Sequence, residues 1–336
     1  MSTTSTLRVA AAHIAPVFMD TQATIDKACA WIEQAGRDGI DLLVFPEVFV
    51  PGFPYWLNCY APLAQGEANL RYLEASVSVP GPEIGRVMAA ARQAGVVVVL
   101  GVSEREGGTA YNTQVFIDAE GRLLGKHRKL QPTYAERYLW GQGDGSTLTV
   151  FDTSVGRIGG LACWEHTMNL ARQALILQHE EIHAASWPAL STLKGFAEIF
   201  DLQVDAMCRS HAITGQCFVI VAEETVTPQA IAWMTSVCGP QDFMTAGGGW
   251  SSVIHPWGIH MLAPHTGAEE KLVAAEINLQ DIRRVKGIVD SSGHSSRPEI
   301  LRLVVDNAPK QGLTLLHPQG ETTAAGAPSQ HTGSND

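Results

Sequence analysis

Residues 94–103 read AGVVVVLGVS, with four valines and a leucine in succession between two glycines. A strand with one wet face alternates apolar and polar residues, so an unbroken β-branched run predicts a strand covered on both faces. Such a strand belongs at the centre of a sheet that is itself buried between layers. The run is far too short to cross a bilayer.

Outward from that strand, periodicity predicts alternating strands and helices. Residues 7–14 read as a buried strand rather than a signal peptide, because His13 and Pro16 interrupt the apolar run and only Arg8 precedes it. A helix over 23–35 starts after the capping candidates Asp20 and Thr21 and stops near Gly36. A short strand at 42–45 ends on Pro46 and Glu47. The loop VFVPGFPYW (48–56) and helices near 67–74 and 83–94 then lead into the valine strand. A hairpin follows, 111–118 with 123–126 about a turn at 119–121. The second half replays this order: strand 157–163, helix 167–177, strand 182–187, long helix 195–214, strand 218–223, hairpin 250–255 with 259–262, and a last strand 272–277. Two such halves pair most simply sheet against sheet with helices outside, an α/β four-layer α-β-β-α sandwich. Residues 1–308 are expected to form one domain. Residues 309–336, rich in Gly, Pro, Thr, Ser and Gln, are expected to form a flexible C-terminal tail.

With 336 residues, 45% of them hydrophobic and 17% charged, the chain has enough apolar surface for a large core. A net charge of −11 argues against nucleic acid and against an anionic membrane surface as partners. The one basic cluster, Lys126 to Lys129, reads as a solvated face. Six cysteines, at 29, 59, 163, 208, 217 and 238, form no C-x-x-C pair, which predicts free thiols in a reducing, cytoplasmic compartment.

Three polar residues follow apolar strands directly: Glu47 after LLVFP, Lys129 after LLGKHR and Cys163 after RIGGLA. Side chains from distant parts of a chain converge at strand ends, so these three can share one pocket. Alone, Cys163 reads as an inert buried thiol. Together the three suit nucleophilic acyl chemistry: a thiolate attacks, Glu47 takes the proton, and Lys129 favours the thiolate and stabilises developing negative charge. Amides of Trp164 and its neighbours, just before a helix, are candidate anion donors.

Here the sequence resembles the nitrilase branch of the carbon-nitrogen hydrolase superfamily, over roughly residues 7–305. Three motifs carry the resemblance: DLLVFPEVFVPGFPYW (41–56), GKHRKLQPTYAERYLWGQGDGS (125–146) and GRIGGLACWEH (156–166). Two further segments fit, GGGWSSVIHPWG (247–258) and DSSGHSSRPEILRL (290–303). The resemblance implies the same α-β-β-α fold, with Glu47 as general base, Lys129 as stabiliser of the tetrahedral species, Cys163 as nucleophile and Glu136 assisting. On the residues alone, Glu136 reads as a salt-bridge partner for Arg137 or Arg128.

The implied reaction converts an organic nitrile, arylaceto-, aromatic or aliphatic, to a carboxylic acid and ammonia through a thioimidate and a thioester, with no cofactor and no metal. The alternative is an amidase or cyanide-hydrolysing relative with the same triad. Tyr55, Trp56, Tyr134, Trp164, His166 and Trp187 are the candidates for substrate contact, although an aromatic at a strand end serves a core as readily. The family also implies a homo-oligomer built from dimers, with longer spiral filaments among its members. Phe53, Asn169 and Ser295 depart from the usual pattern, which bears on substrate preference rather than reaction type.

One motif points elsewhere. Residues 179–183 read HEEIH, the literal form of a zinc-protease motif, which needs both histidines on one helix face. The helical pattern runs out near Gln178 and IHAASWP reads as a strand, so a polar helix-to-strand turn is expected here and no zinc site.

Overall fold

A computed structural model describes residues 6–310, together with the backbone of two short paired strands, Thr314–Leu316 and Thr322–Ala324. The rest of the expected tail lies outside the described residues.

The first sheet contains β1 (Thr6–His13), β2 (Leu42–Val44), β3 (Val97–Glu106), β4 (Thr109–Ile117) and β5 (Leu123–Arg128) side by side. The second contains β6 (Phe151–Thr153), β7 (Gly156–Ala162), β8 (Ile182–Trp187), β9 (Phe218–Glu223), β10 (Trp250–Ile254) and β11 (His265–Thr266). β12 (Lys271–Asn278) returns to the first sheet and pairs antiparallel with β1. In each sheet an antiparallel edge strand, two parallel pairings and two antiparallel ones follow in the same order. The halves therefore repeat in topology, although β12 serves the first half and not the second.

The helices are α1 (Thr21–Arg37), α2 (Trp56–Cys59), α3 (Gly66–Ala75), α4 (Pro82–Ala94), α5 (Asn169–Leu177), α6 (Phe200–Gly215), α7 (Pro228–Cys238) and α8 (Gln280–Lys286). Asp20 caps α1 by accepting from the Ala23 amide at 3.0 Å, and its buried Ile25, Ala28 and Ile32 recur at helical spacing. α4 has Pro82 in its first turn and left-handed Gly95 at its end.

The valine run sits as its composition demands. Val98, Leu100 and Val102 pack outward into the layer of α1 and α4. Val97 and Val99 pack inward with Ile182, Ala184, Phe218 and Ile220 of the facing sheet. The arrangement is the expected four-layer α-β-β-α sandwich.

Three expectations change. Residues 259–262 form no strand: one bridge, Ile254 to His260, follows the turn, and β11 is the actual neighbour of β10. Ile259 is exposed there, so it provides no apolar face to hold a return strand. The long helix begins at Phe200 rather than near 195, because Gly195 takes a left-handed conformation and 195–199 form turns. α7 was not expected, since it buries only Ala230 and Met234. Its cap was legible all the same, in Thr227 and Pro228.

Candidate active site

Glu47 follows β2 on a loop that the two sheets pin. The Phe45 carbonyl accepts from Ser186 Oγ at 2.9 Å across the sandwich, and Ser186 Oγ itself accepts from Gln114 Nε2 at 2.8 Å. The second glycine of the opening stretch makes the close approach feasible: a Cβ on Gly101 would sit 2.1 Å from the Pro46 carbonyl oxygen and 2.6 Å from the Val48 nitrogen. No side chain fits there.

Lys129 comes directly after β5, and its amide bonds the Asn112 carbonyl at 2.8 Å. Its Nζ donates to Glu47 Oε1 and to Glu136 Oε2, each at 2.8 Å. Asn112 Nδ2 donates to the same Glu47 oxygen at 2.6 Å. Glu136 lies on a short 3-10 turn, Tyr134–Tyr138, where its Oε2 also accepts from the Thr133 amide at 2.9 Å.

Cys163 is the first residue after β7 and opens a second 3-10 turn, Cys163–Thr167. Glu165 braces that turn, accepting from the Ala162 amide at 3.1 Å, the Leu130 amide at 2.8 Å and His127 Nε2 at 3.0 Å. One carboxylate thus ties the cysteine turn to the lysine loop. One donor atom each of Glu47, Glu136 and Cys163 lie within 4.8 Å of one another, with Cys163 0% and Lys129 1% exposed. The strand-end residues do converge.

Backbone strain marks the same place. Among the described residues, Met19, Val48, Tyr134, Cys163, His179 and Gln216 are the non-glycines with positive φ. Val48 adjoins Glu47, Tyr134 lies between Lys129 and Glu136, and Cys163 itself has φ 53°. Left-handed backbone at a β-branched valine and at the cysteine costs energy, and persists only where the surroundings over-determine it.

Burial pushes the Glu47 carboxyl up to about 7; Lys129 opposes this and Glu136 adds to it. Burial and Glu47 hold the Cys163 thiol well above its ordinary range, outweighing Lys129 and the Trp164 amide, which pull it down. Burial alone would lower Lys129, but Glu136, Glu47 and Cys163 raise it, so it stays a cation. The resting site therefore holds a thiol rather than a thiolate, beside a base able to take its proton.

The candidate contact residues divide. Tyr55, Trp56 and Trp187 belong to the same buried apolar cluster as Cys163. The Tyr55 hydroxyl donates to Glu224 Oε1 at 2.5 Å, and Trp56 packs edge-to-face with Phe18 and Tyr72 and tilted against Trp233. Half-buried Trp164 packs on Phe200. Buried His166 stacks on Trp187, ring centroids 4.9 Å apart. Tyr134, 78% exposed, is not part of this cluster. Phe53 is buried between Tyr55 and Trp140, Asn169 accepts from Arg172, and Ser295 lies in a turn with Asp290.

Sequence reasoning missed Asn112, His127 and Glu165. The basic cluster is no solvated face: Lys126 and Arg128 pair with buried Glu104, while His127 and Lys129 alternate to the other side and enter the site. Period-two alternation in a strand was the signal for that split.

HEEIH forms a helix-to-strand turn with His179 exposed, but Glu180 and His183 are buried and meet His211 from α6. These three have donor atoms within 4.8 Å of one another. His183 Nδ1 and His211 Nε2 are each already hydrogen-bonded to Glu180, at 2.7 and 2.8 Å.

The carbon-nitrogen hydrolase family matches residues 8–287. An aliphatic nitrilase of Rhodococcus rhodochrous is 39% identical, over 89% of this chain and 82% of its own. An arylacetone-specific nitrilase of Alcaligenes faecalis is 37% identical, over 94% of this chain and 89% of its own. The solved carbon-nitrogen hydrolase from Helicobacter pylori G27 superposes with a TM-score of 0.66 at 21% identity, covering 88% of this chain and 100% of its own.

Proposed function

This chain belongs to the nitrilase branch of the carbon-nitrogen hydrolase family, and from that premise we propose that it hydrolyses an organic nitrile to a carboxylic acid and ammonia, with Cys163 as nucleophile. The observation that carries the residue assignment is the buried contact of Glu47, Lys129 and Glu136 beside a cysteine in left-handed backbone.

The raised thiol dictates the first step. Sγ attacks the nitrile carbon as its proton passes to Glu47, and the nitrile nitrogen takes a proton as the thioimidate forms. Lys129 and the Trp164 amide are the groups placed to stabilise the negative charge that develops on the nitrile nitrogen as its carbon is attacked. Water, losing a proton to Glu47, adds to the thioimidate carbon and Glu47 passes that proton to the nitrogen; as the C–N bond breaks, the new hydroxyl's proton follows, so that ammonia leaves and a thioester carbonyl remains. A second water cleaves the C–S bond of the thioester, releasing the acid and returning the proton to sulfur. Glu136 holds Lys129 against Glu47 throughout.

Trp187, Tyr55 and Trp56 form the aromatic wall, with Trp164 and His166 beside the nucleophile. This composition suits an arylaceto- or aromatic nitrile, and its relatives named for aliphatic and arylacetone substrates bracket the range. The chain also assembles as a homo-oligomer of dimers, extending to filaments, and works in the cytoplasm. Exposed Leu170 and Leu177 on α5 and Leu202 and Ile213 on α6 support the first reading, and the free thiols of the described chain support the second. No helix among the described residues is long and apolar enough to cross a membrane.

The test is a product assay on phenylacetonitrile, benzonitrile, an aliphatic dinitrile and cyanide, measuring ammonia, acid and amide, with Cys163→Ala as control. Acid with stoichiometric ammonia is expected. Amide as the main product overturns the reading.

A further inference from the structure

HEEIH plays no part in the nitrile chemistry, yet it supplies two members of a buried chain of hydrogen bonds that ends on the nucleophile. His166 Nδ1 lies 2.7 Å from the Cys163 carbonyl oxygen. A carbonyl only accepts, so Nδ1 carries the hydrogen. His166 Nε2 faces His183 Nε2 at 2.9 Å, and one of these two nitrogens must donate. Burial, with His183 adding, keeps His166 neutral, so its Nε2 is bare and His183 provides the hydrogen.

Beyond it, His183 Nδ1 meets Glu180 Oε1 at 2.7 Å, and Glu180 Oε2 meets His211 Nε2 at 2.8 Å. His211 therefore donates from Nε2 and has a bare Nδ1. That nitrogen is buried and has no hydrogen-bond partner among the described residues. Burial raises the Glu180 carboxyl, but His183 and His211 outweigh burial and hold it at about 2, so Glu180 is the acceptor in both of these contacts. Among the described residues, half-buried Arg172 is the further charged group that acts on both His166 and His211.

The strand before the nucleophile is shaped for this chain. A Cβ on Gly159 would sit 2.2 Å from Glu180 Oε1, so the first glycine of GGLACWEH leaves room for the carboxylate. Each hydrogen bond fixes the next ring, and the last one falls on the carbonyl of a residue whose backbone is strained.

We propose that His166 is a positioning residue for Cys163, with its ring and tautomer set by the His183–Glu180–His211 relay, so that one hydrogen bond holds the nucleophile in its left-handed conformation while the same ring aligns Trp187. This rests on Cys163 being the nucleophile. The relay moves no proton to substrate; it aims the sulfur.

The first test is on the wild-type protein: 15N-imidazole NMR should show His166 neutral, protonated on Nδ1 and bare on Nε2. A His166 protonated on Nε2 overturns the proposal. The second is a pair of substitutions. His166→Ala should lower kcat about 100-fold with KM changed by less than about threefold. His166→Asn, whose Nδ2 takes the place of Nδ1, should recover at least about tenfold of that loss. An alanine variant with wild-type kcat, or a folded asparagine variant no better than alanine, overturns it.

A third pair separates the relay from packing. His183→Gln keeps a donor opposite His166 Nε2 and should retain activity, whereas His183→Asn keeps only the contact to Glu180 and should lose it. Equal kcat in the two variants overturns the relay. Alkylation of Cys163 by iodoacetamide should slow in the same order. If the wild type hydrolyses no nitrile, the function is wrong, while NMR and alkylation still decide the relay.

Discussion

Two buried polar clusters meet at Cys163, and they are built alike but set differently. One holds Glu47, Lys129 and Glu136; the other holds Glu180, His183, His211 and His166. In the first, Glu47 Oε2 has no partner among the described residues and the carboxyl is lifted to about 7. In the second, both Glu180 oxygens are bonded and the carboxyl is held at about 2. A buried carboxylate short of hydrogen bonds is poised to take a proton, and one fully bonded is fixed in place. On the proposed function, the first cluster is the one that reacts and the second the one that stays still.

The largest expected effect breaks the reactive cluster outright. Cys163→Ala should lower ammonia release at least about 10⁴-fold, since groups that act as one unit lose nearly everything with one member. Its melting temperature should change little, because only a sulfur atom is lost.

Glu47→Gln should cost about 10²- to 10⁴-fold in kcat/KM. In the wild type only the ionised carboxylate accepts the thiol proton. Activity should therefore fall tenfold for each pH unit below about 7, and the glutamine variant should lack that limb. A wild-type limb centred near 4.5 would mean that Glu47 is not desolvated in solution.

Acid stability tests the fixed cluster. His211 is held at about 4, so below its ordinary 6.5 the unfolded chain binds the proton that the fold refuses. Stability should fall by about 3 kcal/mol as pH drops from 6.5 to 4. Glu180, at about 2 against 4.5, contributes a like amount above 4.5 that is lost as pH falls toward 2. His211→Gln keeps a donor for Glu180 without titrating and should flatten the first part in pH-dependent melts.

Two glycines compare the clusters at matched strain. Gly101→Ala drives a methyl into the Glu47 loop, and Gly159→Ala drives one into Glu180. Each should cost about 1–3 kcal/mol of stability. Steady-state kinetics should show the greater loss of kcat at Gly101. The smallest effect is at Tyr134, exposed despite its place beside Lys129: Tyr134→Phe should change kcat/KM by less than about twofold.

Local pattern determined much of this protein. The valine run predicted a doubly covered strand, caps and periodicity predicted α1 and α4, and an apolar run ending on a polar residue marked Glu47, Lys129 and Cys163. Those signals reach over one turn or one strand, which is the range of propensity and burial patterns. Partnership across the fold was decided by tertiary structure alone. β12 crossed back to the first sheet, Glu165 found His127 and Leu130, and His211 came from a helix to complete a chain begun in HEEIH. These depend on sheet register and layer spacing, which bring together groups far apart in the chain. Whether a buried carboxylate is left wanting a proton or is saturated follows from those neighbours, and its own residue type carries no mark of it.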